Sequence, residues 1–366
     1  MCARIDCDAA LYRQIAQAAA QVIEWEVVPT HAEAHGVAPL FYRHLTAAGV
    51  TLPRAVKREL QASAVRHRLA NQVHTRVLRD IVTRYQAAGI RVLALKGIAL
   101  CHLLYPEPGL RPMGDLDLLV SEKDAARAQS LLSELGFSAP LPADGQRVEH
   151  RHLGQAIAQV EGFIVSVEIH HHLFERGVSP ILMGIDDLTS APLAFPLPPG
   201  DLTAQTLGYE DTLWYQCQHL VGDTTVFSAT KLIWVADIVS FAERFVAAID
   251  WARIKKQYPL VLSTLSLLHF LTPLSDRLLA RASIAIGSAP PGMWDDFAKS
   301  PRTILDDQMN RGYGQTWRAA FSPSEWWLRL RYGLGSASPL PRFLRARHAL
   351  YLAGRLNNAL RRRWRR

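Results

Sequence analysis

Residues 115–120 read Asp-Leu-Asp-Leu-Leu-Val, and no other run in the chain restricts its folding as much. Six mostly apolar residues are too few for a helix and suit a short β-strand. Strand side chains alternate between faces, so Asp115 and Asp117 project from the same one. Two carboxylates held side by side repel each other unless a proton or a cation intervenes. Hard oxygen ligands in this arrangement suit Mg²⁺, completed by phosphate oxygens and water. Such a pair can also seat two ions and clamp both sides of an in-line displacement at phosphorus. Acids at this spacing also occur on exposed strand edges and in glycosyltransferases that hold a sugar nucleotide, so the neighbouring residues have to carry the rest.

Upstream, the spacing of Leu60, Ala64, Leu69, Val73, Val77, Ile81 and Tyr85 predicts a long helix over 53–88, opened by Pro53 and stopped at Gly89. The β-branched run Ile90–Leu95 then predicts a buried strand. Lys96–Gly97 breaks it, and a short helix over 98–105 follows. Gly97 lets the backbone approach a phosphate, and the N-terminus of that helix presents free N–H groups and a positive dipole. Lys96 and the forked donors of Arg111 suit neutralisation of a triphosphate. Downstream, Ser121 predicts an N-cap for a helix through Leu135. The segments 155–160 and 163–170 predict a hairpin closed by Glu161–Gly162. Within its second arm, Val165, Val167 and Ile169 share one face; Ser166, Glu168 and His170 share the other. Glu168 is the expected third acid, a metal ligand and candidate base toward an acceptor hydroxyl. His170 points with it, as a contact to the substrate or a support behind the metal ligands. Adjacent strand residues alternate faces, so His170, His171 and His172 do not make a zinc site.

The series LKG, a short helix, YP-x-P-G-x-R-x-x-GD-x-D-x-L-V and V-E-I-H resembles an uncharacterised nucleotidyltransferase family of the polymerase-β-type superfamily, found beside peptide-modifying genes, lasso-peptide clusters included. The resemblance is specific over about 81–175. It is looser in the helical flanks, at His219, Lys231, Trp234, Asp237 and residues 249–251. It implies a small mixed sheet with helices, and transfer of a nucleoside monophosphate to a hydroxyl. On this resemblance Asp115, Asp117 and Glu168 take the places of the metal-binding acids. Lys96, Gly97, Arg111, Gly114, His170 and Lys231 form the expected nucleotide-binding set. Lys96–Gly97 stands where the superfamily usually has Gly-Ser, so its phosphate grip departs from the pattern.

The expectation is therefore a cytosolic α+β enzyme using Mg²⁺ or Mn²⁺ and an NTP such as ATP. It would modify a hydroxyl on a small molecule, peptide or protein and release pyrophosphate. A DxD glycosyltransferase and a catalytically inactive adaptor on the same fold are the rivals. The 366 residues divide into a helical region (1–80), an α/β core (81–190), a helical domain (200–340) and a basic tail (341–366), with the proline-rich 190–201 read as a linker. The net charge of +8 sits in that tail, which holds nine arginines and no acid. Without it the body is near neutral, which disfavours a basic RNA-binding body. The tail itself suits contact with an anionic surface or nucleic acid, or packing along one stripe. Cysteines 2, 7, 101 and 217 form no CxxC pair and read as reduced thiols. The N-terminus lacks a secretory pattern, and the uncharged run between Lys256 and Asp276 is too short for a transmembrane span. Trp326 and Trp327 read as packing anchors.

Overall fold

The computed structural model describes residues 2–140, 151–174, 183–223, 230–291, 293 and 323–363; the side chains of Asp223 and of 355–363 lie outside that description. The chain opens with α1 (Ala9–Ala19), capped by the Asp8 carboxylate, which accepts from Leu11 N at 2.8 Å. This helix stops at Ala19. Pro29 lacks an N–H and fits only a first turn, so a new helix, α2 (Val28–Ala34), starts there. Between the two, Ile23 is exposed and finds no core to join. Two further helices, α3 (Ala38–Ala47) and α4 (Arg54–Ala87), complete this region.

At 34 residues, α4 is about 50 Å long, and it serves two cores. Its first turns bury Val56 and Leu60 among the N-terminal helices. Its later turns bury Val73, Val77, Leu78, Ile81, Val82 and Tyr85 against the sheet.

That sheet has four strands in the order β1-β2-β4-β3: β1 (Leu93–Ala94), β2 (Leu116–Leu119), β3 (Ala156–Val160) and β4 (Phe163–His170). Two elements precede β3, namely α5 (Lys96–Leu103) between β1 and β2, and α6 (Ala125–Glu134) after β2. β2 and β4 run parallel and the outer pairs antiparallel. β3 and β4 form the expected hairpin, with Glu161 at φ +50° and Gly162 at φ +84° in its turn. One sheet face sends Leu116, Leu118, Val165, Val167 and Ile169 into the α4–α6 core. The mixed sheet, flanked by helices, is an α+β arrangement.

Residues 190–201 are not a linker. They begin a second, two-stranded sheet of β5 (Leu193–Pro196) and β6 (Thr203–Thr206). Phe195, Leu197 and Ala204 are buried in the core of the larger sheet. The period-two spacing of Phe195 and Leu197 was hidden by the prolines around it, which an edge hairpin accommodates.

Seven helices follow among the described residues: α7 (Tyr209–Asp223), α8 (Leu232–Arg244), α9 (Trp251–Gln257), α10 (Pro259–Leu268), α11 (Asp276–Ala282), α12 (Glu325–Tyr332) and α13 (Leu344–Arg363). The uncharged run forms α10, which buries Val261, Leu265, Leu267 and Leu268. No described helix is long and apolar enough to cross a membrane. Trp326 and Trp327 are buried anchors in α12. The start of α13 packs one stripe, with Leu344 and His348 buried, while Leu350 is exposed. The Leu356 and Leu360 side chains of the tail lie outside the described residues.

Candidate active site

The parallel pairing of β2 and β4 sets Asp117 opposite Glu168. His170, two residues along β4, shares their face. Donor atoms of Asp117, Glu168 and His170 lie within 4.8 Å of one another. His170 Nε2 donates to Asp117 Oδ1 at 2.8 Å and stands 3.5 Å from Glu168 Oε2. Asp115 lies outside that tight cluster, one residue before β2, but lines the same cleft as Glu168. His171 and His172 pair with each other at 2.7 Å, away from it.

Lys96 reaches in from the other side. Its ammonium donates to Asp117 Oδ1 at 3.0 Å from the first position of α5. Its backbone is left-handed, at φ +46°, a region that costs a non-glycine residue about 1–3 kcal/mol. The left-handed position of this turn therefore falls on Lys96, beside Gly97. The role of Gly97 is room: a Cβ there would stand 2.4 Å from Arg111 Nη1 and 3.0 Å from Met113 Cγ. Arg111 lines the cleft, yet its fork is closed by Asp237 of α8, with Nε at 3.0–3.1 Å and Nη2 at 2.7 Å. Tyr105 Oη donates to the same carboxylate at 2.7 Å. The forked donors expected to face phosphate are thus committed to holding the loop before β2 against the C-terminal helices.

The charges are unevenly shared. Burial alone would raise Asp117, but the Lys96 ammonium and the His170 hydrogen bond hold it far below the usual carboxylate range. Burial lowers Lys96, and the Asp117 charge outweighs it and lifts the ammonium above its ordinary value. The His170 hydrogen bond keeps Glu168 low against its own burial. Asp115 bears the remainder. Burial first, then the charge of Asp117, pushes it up to about 6, against the pull of Lys96.

A carboxyl raised in the folded state destabilises the fold once it ionises. The penalty is absent below its ordinary value near 3.8 and complete above about 6. Asp115→Asn is therefore expected to raise the melting temperature at pH 7.5 in the presence of a chelator, and to leave it unchanged near pH 4. Equal melting of the two proteins at pH 7.5 would contradict this charge distribution.

The cleft has a volume of about 470 Å³, within the roughly 300–1,000 Å³ of small-molecule sites. Its floor includes Lys96, Gly97, Gly114, Asp115 and Glu168; Lys231, Trp234 and Asp237 come from α8 and its N-cap. The Lys231 ammonium lies 5.8 Å from the Trp234 ring centroid.

The family model described as "Uncharacterised nucleotidyltransferase" matches residues 21–272. The chain belongs to this family. No curated protein matches it. A solved antigenic nucleotidyltransferase-like protein from Paracoccidioides brasiliensis is similar at 15% identity and a TM-score of 0.37, over 58% of this chain and 93% of that one.

The matched region takes in α2, α3 and α4 as well as the sheet, and α2 and α4 reach the cleft. Glu33 of α2 and His67 of α4 both line it. Glu33 accepts from His67 at 3.0 Å, from Arg66 at 2.5 Å and from Ser63. Arg151, His152 and Gln216 line it too. Sequence reasoning missed all five. Arg151 and His152 precede β3 in an irregular segment without periodicity, and Glu33, His67 and Gln216 sit on helices where any polar residue reads as a solvated face.

Proposed function

We propose that this nucleotidyltransferase moves a nucleoside monophosphate from an NTP to a hydroxyl group with the help of Mg²⁺ or Mn²⁺, releasing pyrophosphate. One observation carries the reading: acids from two parallel strands converge with His170 beneath a cleft, opposite the ammonium of Lys96. The donor set fits a hard divalent cation. It is rich in carboxylate oxygen, its single imidazole is compatible with Mn²⁺, and burial together with the charge of Asp117 raises Asp115 beside it.

Asp117 and Glu168 would hold the ion, with Asp115 beside them. Such an ion, when bound, neutralises charge on the phosphate oxygens as a Lewis acid. The low pKa of Glu168 suits a ligand better than the base also considered for it. Lys96 and Lys231, with Arg151, supply the positive charge for the triphosphate, because Arg111 is paired with Asp237. Positioning and charge compensation then provide most of the acceleration, as is general for phosphoryl chemistry.

The direct test incubates the full chain with Mg²⁺, each NTP and a panel of hydroxyl-bearing small molecules and peptides. Metal-dependent pyrophosphate release is expected, together with a product heavier by one nucleoside monophosphate in mass spectrometry. Release of nucleoside diphosphate from a sugar nucleotide, with no NTP consumed, would replace this reading with glycosyl transfer.

A further inference from the structure

Resting on the nucleotidyl-transfer reading above, we propose that the α7–α8 wall of the cleft is a nucleobase pocket in which the Gln216 carboxamide pairs with the edge of the base, beside the Trp234 indole. Gln216 lines the cleft and is only 7% exposed. Among the described residues, neither its Nε2 nor its Oε1 has a hydrogen-bond partner. A buried amide left in this state is destabilising, because both groups lose their water and gain nothing in return. A leucine or methionine of similar volume would carry no such penalty. The unpaired amide is therefore explained by a ligand that completes it.

The chemistry of that ligand follows from the amide. A carboxamide offers one acceptor and two donors in a plane, so its complement is a flat edge with a donor beside an acceptor. Every nucleobase has such an edge, whereas an ionised phosphate has only acceptors. The neighbouring walls suit a flat, partly apolar ring. Trp234 and His219 have ring centroids 5.1 Å apart at an angle of 66°, and Leu100 and Ile238 line the same cleft. The pocket also lies close to the phosphate end. Gln216 lines one cleft with Lys96 and Gly97.

The test is calorimetric titration of the full chain, in Mg²⁺, with the α,β-methylene analogues of ATP, GTP, CTP and UTP and with inorganic tripolyphosphate. The wild type is expected to bind at least one analogue about tenfold or more tightly than tripolyphosphate, the scale of two neutral hydrogen bonds. Gln216→Leu should erase that margin, leave tripolyphosphate binding unchanged, and melt no lower than wild type without nucleotide. Gln216→Met provides the same reading if the leucine variant folds poorly. An intact margin in either variant overturns the pocket and leaves the nucleotidyl-transfer reading standing. Equal binding of analogues and tripolyphosphate by the wild type does the same. Failure of the wild type to bind any of them removes the nucleotidyl-transfer reading, and the pocket with it.

Discussion

Asp117→Asn is expected to cut nucleotidyl transfer by about 10³-fold or more, the rate equivalent of several kcal/mol of metal-derived charge stabilisation. The substitution changes almost nothing in shape. An asparagine Oδ1 can still accept from Lys96 and from His170, whose donors lie 3.0 Å and 2.8 Å away. What it removes is a carboxylate that Lys96 and His170 hold far below the usual carboxylate range. Two effects on stability oppose each other. Lys96 loses its closest counter-charge, while Asp115 loses a like-charged neighbour that raises it. The circular dichroism spectrum should therefore stay that of the wild type. Mn²⁺ titration followed by electron paramagnetic resonance should show a lost or much weakened site. Turnover within tenfold of wild type would remove Asp117 from the metal-binding set and the proposed chemistry with it.

The parts of this site that follow from local pattern are legible in the sequence. Alternation within Asp115–Val120 and within Phe163–His170 told which side chains share a face, because the period of a strand is fixed at two. The Glu161–Gly162 turn was equally local. The register that sets Asp117 opposite Glu168 was not. It depends on a crossover through α6 and β3, which the residues of β2 and β4 do not encode alone. Long-range pairing also explains why the role of Arg111 was misread. Arg111 looked like a free cation because its partner, Asp237, lies 126 residues away. The left-handed position beside Gly97 falls on Lys96, whose charged side chain is tied to Asp117. The walls supplied by Glu33, His67 and Gln216 were hidden for a simpler reason. A polar residue on a helix reads the same whether it meets water or a cleft.

Asp237→Ala is expected to destabilise the protein by about 3–5 kcal/mol, the usual effect of removing one partner from a buried ion pair. Both side chains of the pair are nearly inaccessible, at 8% and 4% exposure. Loss of the carboxylate strands the guanidinium, whose other contact in the pair's surroundings is Pro112 O at 3.3 Å, and takes the acceptor from Tyr105 Oη. The effect on activity follows from where the pair sits. Asn71 Nδ2 donates to Pro108 O at 2.6 Å and to Arg111 O at 2.8 Å, pinning the loop that leads into Asp115 to α4. Asp237 pins that loop to α8, so the acids and the Lys231–Trp234 wall keep a fixed separation. The double variant Arg111→Met, Asp237→Leu separates the two roles. An apolar pair of similar volume often matches or exceeds the stability of a buried ion pair, so its melting temperature should return toward wild type in a double-mutant cycle. If the pair only braces the cleft, nucleotide affinity recovers with it. If Arg111 also meets the triphosphate, melting recovers while the affinity for NTP stays low. Wild-type melting of the Asp237→Ala single variant would mean that the two halves of the cleft are held together by apolar packing alone.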